Sequence, residues 1–230
     1  MFSCVAPTEG IVEKSSIKKS VIGQSLVEET SGLCRCKNKI YTVSDEGNVF
    51  EIDSTGKIIL EFLILNDMDL EGIACFGDLL YVLDESSGFY VFELGKGSIN
   101  KISYNRVPSF SNNNGWEGIA IFGDLVYLAK EDASVILIYS VSEKKIIEEI
   151  FLPFHIESIS GMTLGKSNLY LLDRDGGFIY MCDVLGNLKN SWKIDSETSR
   201  FEGITLLNEE NLEFLLVSDE TSEVVKISIK

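Results

Sequence analysis

Histidine occurs once, proline three times and tryptophan twice in the 230 residues of this chain. One histidine excludes the zinc motifs that require two. Bases are scarce as well: 20 Lys and Arg stand against 36 Asp and Glu, a net charge of −16. That deficit argues against nucleic acid, whose phosphates need a basic footprint, and against an anionic membrane surface. Long apolar runs are missing. The longest, residues 58–65, is interrupted by Glu61 and too short to cross a bilayer, so membrane insertion is not expected. The first twenty residues hold no apolar core of seven, so no secretory signal is read there. The five cysteines (Cys4, Cys34, Cys36, Cys75 and Cys182) fit no zinc or redox spacing. They read as reduced thiols serving as small hydrophobes, which points to the cytoplasm, or to an exported protein if a signal segment has been removed.

What is present is a globular composition, 45% apolar and 24% charged, enough to bury a core. It is arranged as a repeat. Ser31-Gly32-Leu33, Glu71-Gly72-Ile73, Glu117-Gly118-Ile119, Ser160-Gly161-Met162 and Glu202-Gly203-Ile204 open five similar segments, their glycines 40, 46, 43 and 42 residues apart. Each opening is followed by a short apolar run, a turn, a second apolar run, an acid-rich turn, an alternating run and another turn. In the second segment, residues 72–75, 79–83, 89–94 and 98–104 read as four short strands separated by Gly-rich turns. No helix is predicted; residues 142–150 read as a turn followed by an outer strand.

Four strands per unit and a period of 40 to 46 residues are the signature of a β-propeller. The glycine of each opening fits strands that crowd around a central axis. The fifth unit supplies only three strands, near residues 203–207, 213–218 and 223–229. Residues 17–22 occupy the place of an outer strand before Ser31 and can complete that unit, leaving no open edge. The expected fold is therefore all-β: a five-bladed β-propeller of four-stranded antiparallel blades, closed by an N-terminal outer strand in the last blade. It forms a single domain over residues 16–230, after an extension over residues 1–15. Glu9-Gly10-Ile11 imitates an opening but lies only half a blade from Gly32.

In such a ring the first strand begins, and the second ends, at the same mouth of the channel. First strands open on Ser31, Glu71, Glu117, Ser160 and Glu202. Second strands end at Asp45-Glu46, Asp84-Glu85, Lys130-Glu131-Asp132, Asp173-Arg174-Asp175 and Asp219-Glu220. Carboxylates crowded in this way raise one another's pKa or recruit a cation. An oxygen-rich, histidine-free set suits calcium, with Glu71, Glu117 and Glu202 as candidate metal ligands. Ser31, Ser160, Asp45, Glu85, Lys130, Glu131, Arg174, Asp219 and Trp116 are candidate ligand-binding residues around them. The alternative is structural: each glutamate accepts backbone N–H bonds from the next blade, and Lys130 and Arg174 pair with the remaining acids. Trp116 fits either packing between blades or the wall of a pocket. His155 reads as a bystander, and residues 108–115 as a surface loop or a flap beside the mouth.

Ser31-Gly32-Leu33, Ile40-Tyr41-Thr42-Val43-Ser44-Asp45-Glu46, Val49-Phe50-Glu51-Ile52-Asp53 and Asp69-Leu70-Glu71-Gly72-Ile73-Ala74 together resemble the SdiA-regulated family of bacterial propellers. Related esterase-like phytase propellers share a similar Glu-Gly-Ile/Leu opening. The resemblance runs from about Ser16 to the C-terminus. It implies a propeller, frequently exported or membrane-anchored, whose relatives bind calcium in the channel; it transfers no catalytic residue.

Two functions follow from the rim. The first is a binding module whose acidic mouth takes calcium, a small ligand or a partner protein. The second is a metal-dependent hydrolase of lactone or phosphoester type, with Lys130 or Arg174 holding the anion and the metal activating water. Binding is the favoured expectation, because a fold does not by itself establish a reaction.

Overall fold

A computed structural model describes residues 16–63, 68–86, 88–107, 115–131, 134–194 and 200–230. Strand β1 (Ile17–Gln24) comes first. Blade one is β2 (Thr30–Cys36), β3 (Lys39–Ser44), β4 (Asn48–Ile52) and β5 (Ile58–Leu63). Blade two is β6 (Leu70–Phe76), β7 (Leu79–Asp84), β8 (Gly88–Leu94) and β9 (Ile99–Arg106). Blade three is β10 (Trp116–Phe122), β11 (Leu125–Lys130), β12 (Val135–Ser140) and β13 (Lys145–Phe151). Blade four is β14 (Ile159–Leu164), β15 (Asn168–Asp173), β16 (Phe178–Asp183) and β17 (Leu188–Lys193). Blade five holds β18 (Gly203–Asn208), β19 (Glu213–Val217) and β20 (Glu223–Ile229).

These strands form five separate four-stranded antiparallel sheets, and the chain is a five-bladed β-propeller, as the repeat predicts. The fifth sheet has the order β1-β20-β19-β18, with Ile17 opposite Ile229 and Gln24 opposite Glu223. The two ends of the described chain thus close the ring together, and no α-helix occurs among the described residues.

Burial explains why middle strands read as continuous apolar runs while outer strands do not. In β7 every residue after Leu79 is buried, because both faces of the sheet are covered by neighbouring blades. In β13 only Ile150 is buried, and the charged residues of that outer strand face water. The core is correspondingly divided into five apolar layers, one at each seam between blades. Trp116 is 3% exposed in the layer between blades two and three, beside Phe89 and Leu83. Its side chain packs in that seam.

The opening glycines let the inner strands meet. Gly32 has φ +48°, and a Cβ there would lie 2.8 Å from the Cα of Gly72 in the next blade. At Gly161 a Cβ would lie 2.8 Å from the Glu202 carbonyl oxygen. Backbone cannot retreat from such a contact without moving a blade. Gly32→Ala is expected to destabilise the protein by about 2 kcal/mol through strain and displacement, read by urea denaturation. A loss within about 0.5 kcal/mol, the range of neutral surface changes, would show that the seam accommodates a side chain.

The cysteines require a correction. Cys36 and Cys75 form a disulfide, with Cα atoms 5.5 Å apart and a separation of 39 positions in sequence. They are not reduced thiols. The separation is close to one repeat, which puts the two residues side by side on adjacent inner strands. Cys34 and Cys182 are free and buried, as expected of small hydrophobes. Among the described residues no helix is long and apolar enough to cross a membrane. Glu9-Gly10-Ile11, Asp132 and residues 108–114 of the loop beside the mouth lie outside the described residues.

Candidate functional site

The rim is built by a recurrent irregularity at the start of the inner strands. In blade two Leu70 pairs with Asp84 and Gly72 with Leu83, so Glu71 is the extra residue of a bulge. Glu117 occupies the same place between Trp116 and Gly118, and Ser160 between Ile159 and Gly161. A bulge leaves one residue out of the ladder and re-aims its side chain, here at the mouth. The ends of the second strands are fixed by backbone bonds to the incoming chain. The Glu85 N–H donates to the Asp69 carbonyl (3.0 Å), and the Trp116 N–H donates to the Glu85 carbonyl (3.0 Å). In the same way the Ile159 N–H donates to the Glu131 carbonyl (3.1 Å) and the Arg174 N–H to that of Ser158 (2.9 Å).

The mouth these devices create has two unlike halves. On one side, blades three, four and five are joined by an arginine. Arg174 Nη1 donates to both Glu202 carboxylate oxygens, at 3.0 and 3.2 Å, and Nη2 bonds Glu131. Ser158 Oγ donates to the same Glu131 (3.3 Å). Arg200 pairs with Asp175 further out.

On the other side carboxyl groups meet one another. Oxygens of Asp45, Asp69 and Glu71 lie within 4.8 Å of one another, Asp69 exposed and the other two half-buried. Glu71 and Glu85 both stand beside Asp69, and Glu71 also stands beside Glu117. Crowding of this kind favours the protonated form of a buried carboxyl. Burial, then Glu117, Asp45 and Asp69, push the Glu71 carboxyl up to about 10. Glu117 rises to about 8 through burial, Glu131 and Glu202, against the pull of Arg174. Glu202 rises to about 7 through burial, although Arg174 opposes it. Asp45 rises to about 6 through burial and then Asp69, while the Ser31 hydroxyl, donating to it at 3.1 Å, works the other way. Burial followed by Asp69 also raises Glu85.

The residues singled out from the sequence therefore reach the same mouth but divide into groups. Glu71 and Asp45 belong to the acidic trio, Glu85 and Glu117 adjoin it, and Ser31 orients Asp45. Glu202, Glu131 and Arg174 form the ion-paired half. The Ser160 hydroxyl is engaged within the protein, donating to the Phe201 carbonyl at 2.7 Å. Asp219 is exposed at the edge, and its charge helps to raise Asp45 and Glu202. Lys130 closes β11 opposite Trp116 and is half-buried. His155 is exposed.

Asp69 was not among the candidates. Its signal was available in the sequence, since it stands two residues before Glu71 where the other blades carry Glu29, Gly115, Ser158 and Arg200.

Below the rim the channel narrows to a cavity of about 10 Å³ lined by Leu33, Ile73, Ile119, Met162 and Ile204 among others, room for one water at most. A second cavity, of about 100 Å³, follows at the far mouth. The acidic mouth thus forms a cup above this constriction.

No protein-family model and no curated protein matches the chain. Solved structures do. A glutaminyl cyclase from Myxococcus xanthus superposes with a TM-score of 0.75 at 10% identity, over 94% of this chain and 96% of its own. A luciferin-regenerating enzyme gives 0.56 at 11% identity, over 94% and 95%. A streptogramin B lyase gives 0.54 at 11% identity, over 93% and 98%. At such identities the likeness is one of fold.

Proposed function

We propose that the protein is a propeller binding module whose acidic cup takes a divalent cation, calcium by its donor chemistry, on Asp45, Asp69 and Glu71. The observation that carries this is the convergence of three carboxylates within 4.8 Å, with no basic residue within the trio, on the half of the mouth that Arg174 does not serve. Hard oxygen donors without histidine or thiolate favour calcium or magnesium, and a loose set with one exposed member favours calcium. Exposure of Asp69 leaves one side of the site open, so water or an acidic group of a ligand can complete the coordination. The resemblance to SdiA-regulated propellers, carried in part by Asp69-Leu70-Glu71-Gly72-Ile73, points the same way. A setting outside the cytoplasm suits this reading, because the Cys36–Cys75 bond persists where conditions are oxidising.

Binding is preferred to hydrolysis on the state of Arg174. Of the two cations named for holding an anionic substrate, Lys130 and Arg174, the Arg174 fork is already engaged by Glu202 and Glu131. The names of the structural neighbours supply no reaction for this chain.

The test is a melting curve of chelator-treated protein with and without calcium. At a hundred times its Kd, calcium is expected to add about 2.7 kcal/mol of stability. Asp45→Asn with Glu71→Gln should abolish the response and leave the metal-free protein folded. Absence of any shift with calcium, magnesium or manganese would overturn the proposal.

A further inference from the structure

The disulfide and the carboxylate trio join the same two blades. Cys36 ends β2 and Cys75 lies one residue from the end of β6, so their bond ties blade one to blade two at the far mouth. Asp45 follows β3 of blade one, whereas Asp69 and Glu71 stand at the entry of β6 in blade two. The trio therefore spans the same seam at the acidic mouth. Both strands are seven residues long, which separates the two junctions by about 20 Å. Between them the seam is continuous: Val43, Leu70, Ile73 and Val82 are at most 2% exposed, and Gly32 abuts the Gly72 backbone. This is the one disulfide among the described residues, and it lies in the seam where acids of two blades face each other.

We propose that the Cys36–Cys75 bond regulates the cation affinity of the acidic cup, the oxidised seam holding the three carboxylates converged and the reduced seam letting them part. The inference rests on reading Asp45, Asp69 and Glu71 as cation ligands. Its physical basis is the repulsion that arises between blade one's Asp45 and blade two's Asp69 and Glu71 once all three are deprotonated, as cation binding requires, which works to splay β2 from β6 at the acidic end. A covalent tie at the other end removes sliding and splaying freedom before the cation arrives. Without the tie, the cation must itself restrict that freedom, and its net affinity falls. Reduction by a dithiol passes two electrons and two protons to the bond, giving two cysteine thiols and the cyclic disulfide of the reagent. Coupling between the two junctions is reciprocal, so bound calcium makes the bond harder to reduce by the same factor.

The experiment is calorimetric titration of calcium into oxidised protein, into dithiothreitol-reduced protein whose fold is checked by circular dichroism, and into Cys36→Ser/Cys75→Ser. Reduction and the double substitution should each raise the Kd at least about fivefold, the lower end of usual coupling between sites. Should the double variant not fold, the fraction of wild-type protein reduced in a dithiothreitol redox buffer, with and without calcium, gives the same factor. Equal Kd values in oxidised and reduced protein overturn this inference and leave the cation reading standing. No calcium binding by either form overturns the cation reading, and this inference with it.

Discussion

Chelator-treated protein is expected to be more stable at pH 5 than at pH 8, by at least about 2 kcal/mol. The sign follows from the carboxyls of the cup. Glu71, Glu117, Glu202 and Asp45 titrate near 10, 8, 7 and 6 in the folded chain, all above the usual carboxylate range. Between the ordinary value and these raised ones, the folded protein binds more protons than the unfolded chain does. The stability that protonation contributes is complete below the unfolded pKa and is lost progressively as pH rises through the folded values. The groups that face Glu71 include Glu117, Asp45 and Asp69; those that face Glu117 include Glu131, Glu202, Arg174 and Glu71. Arginine keeps its charge throughout, so acids dominate the slope.

A second set of carboxylates limits the acid side. Asp53, Asp124 and Asp183 accept bonds from nearby turn N–H groups and hydroxyls or amides, which hold them below their ordinary value. What they contribute is lost as pH falls through their folded pKa, so stability peaks in mildly acid solution. Urea denaturation at several pH values reads the curve. Calcium in excess should flatten the alkaline limb by taking the place of protons, and Glu71→Gln should flatten it without metal. A stability that rises from pH 5 to pH 8 in metal-free buffer would mean that the cup already holds its carboxylates as stable anions.

Arg174→Met is expected to destabilise the protein by about 3 kcal/mol at pH 8. Arg174, with a side chain 21% exposed, is the cation shared by Glu131 and Glu202, whose side chains are 20% and 10% exposed. Burial disfavours its charge, but Glu202, Glu131 and Glu117 outweigh that and hold it more firmly protonated than a free arginine. Methionine preserves much of the volume, so the loss reports mainly on two carboxylates left without a partner in a crowded cup. At pH 5 the penalty should shrink, because Glu202 can take up a proton instead. Arg174→Lys should recover only part of the loss, since one ammonium nitrogen cannot stand at both the Nη1 position beside Glu202 and the Nη2 position beside Glu131. Denaturation at the two pH values decides the matter. A change below about 0.5 kcal/mol at pH 8 would place the pair among surface ion pairs of little consequence.

Much of this architecture can be read along the chain. Glycines at nearly constant spacing, apolar runs too short for helices and a last unit short of one strand specify blade number and closure. They do so because each blade must bury two faces and none can stand alone. Residues 17–22 were recognisable as the missing strand for the same reason: an open edge has to be paired. The crowding of acids at one mouth also followed from strand direction alone.

Which acids touch was a different question. Glu71, Glu117 and Glu202 are equivalent in the repeat, yet Glu202 is paired with Arg174 from the preceding blade while Glu71 stands beside the acids Glu117, Asp45 and Asp69. Asp69 joins the site from a position that other blades give to glycine, serine, glutamate or arginine. Cys36 and Cys75 meet because adjacent inner strands converge at the axis. The ring, its five blades and its charged rim are legible in the order of residues, since they depend on periodicity within each blade. Which charges share a neighbour emerges when the blades assemble, because partnership across a seam depends on how a bulge aims one side chain and how closely two blades approach.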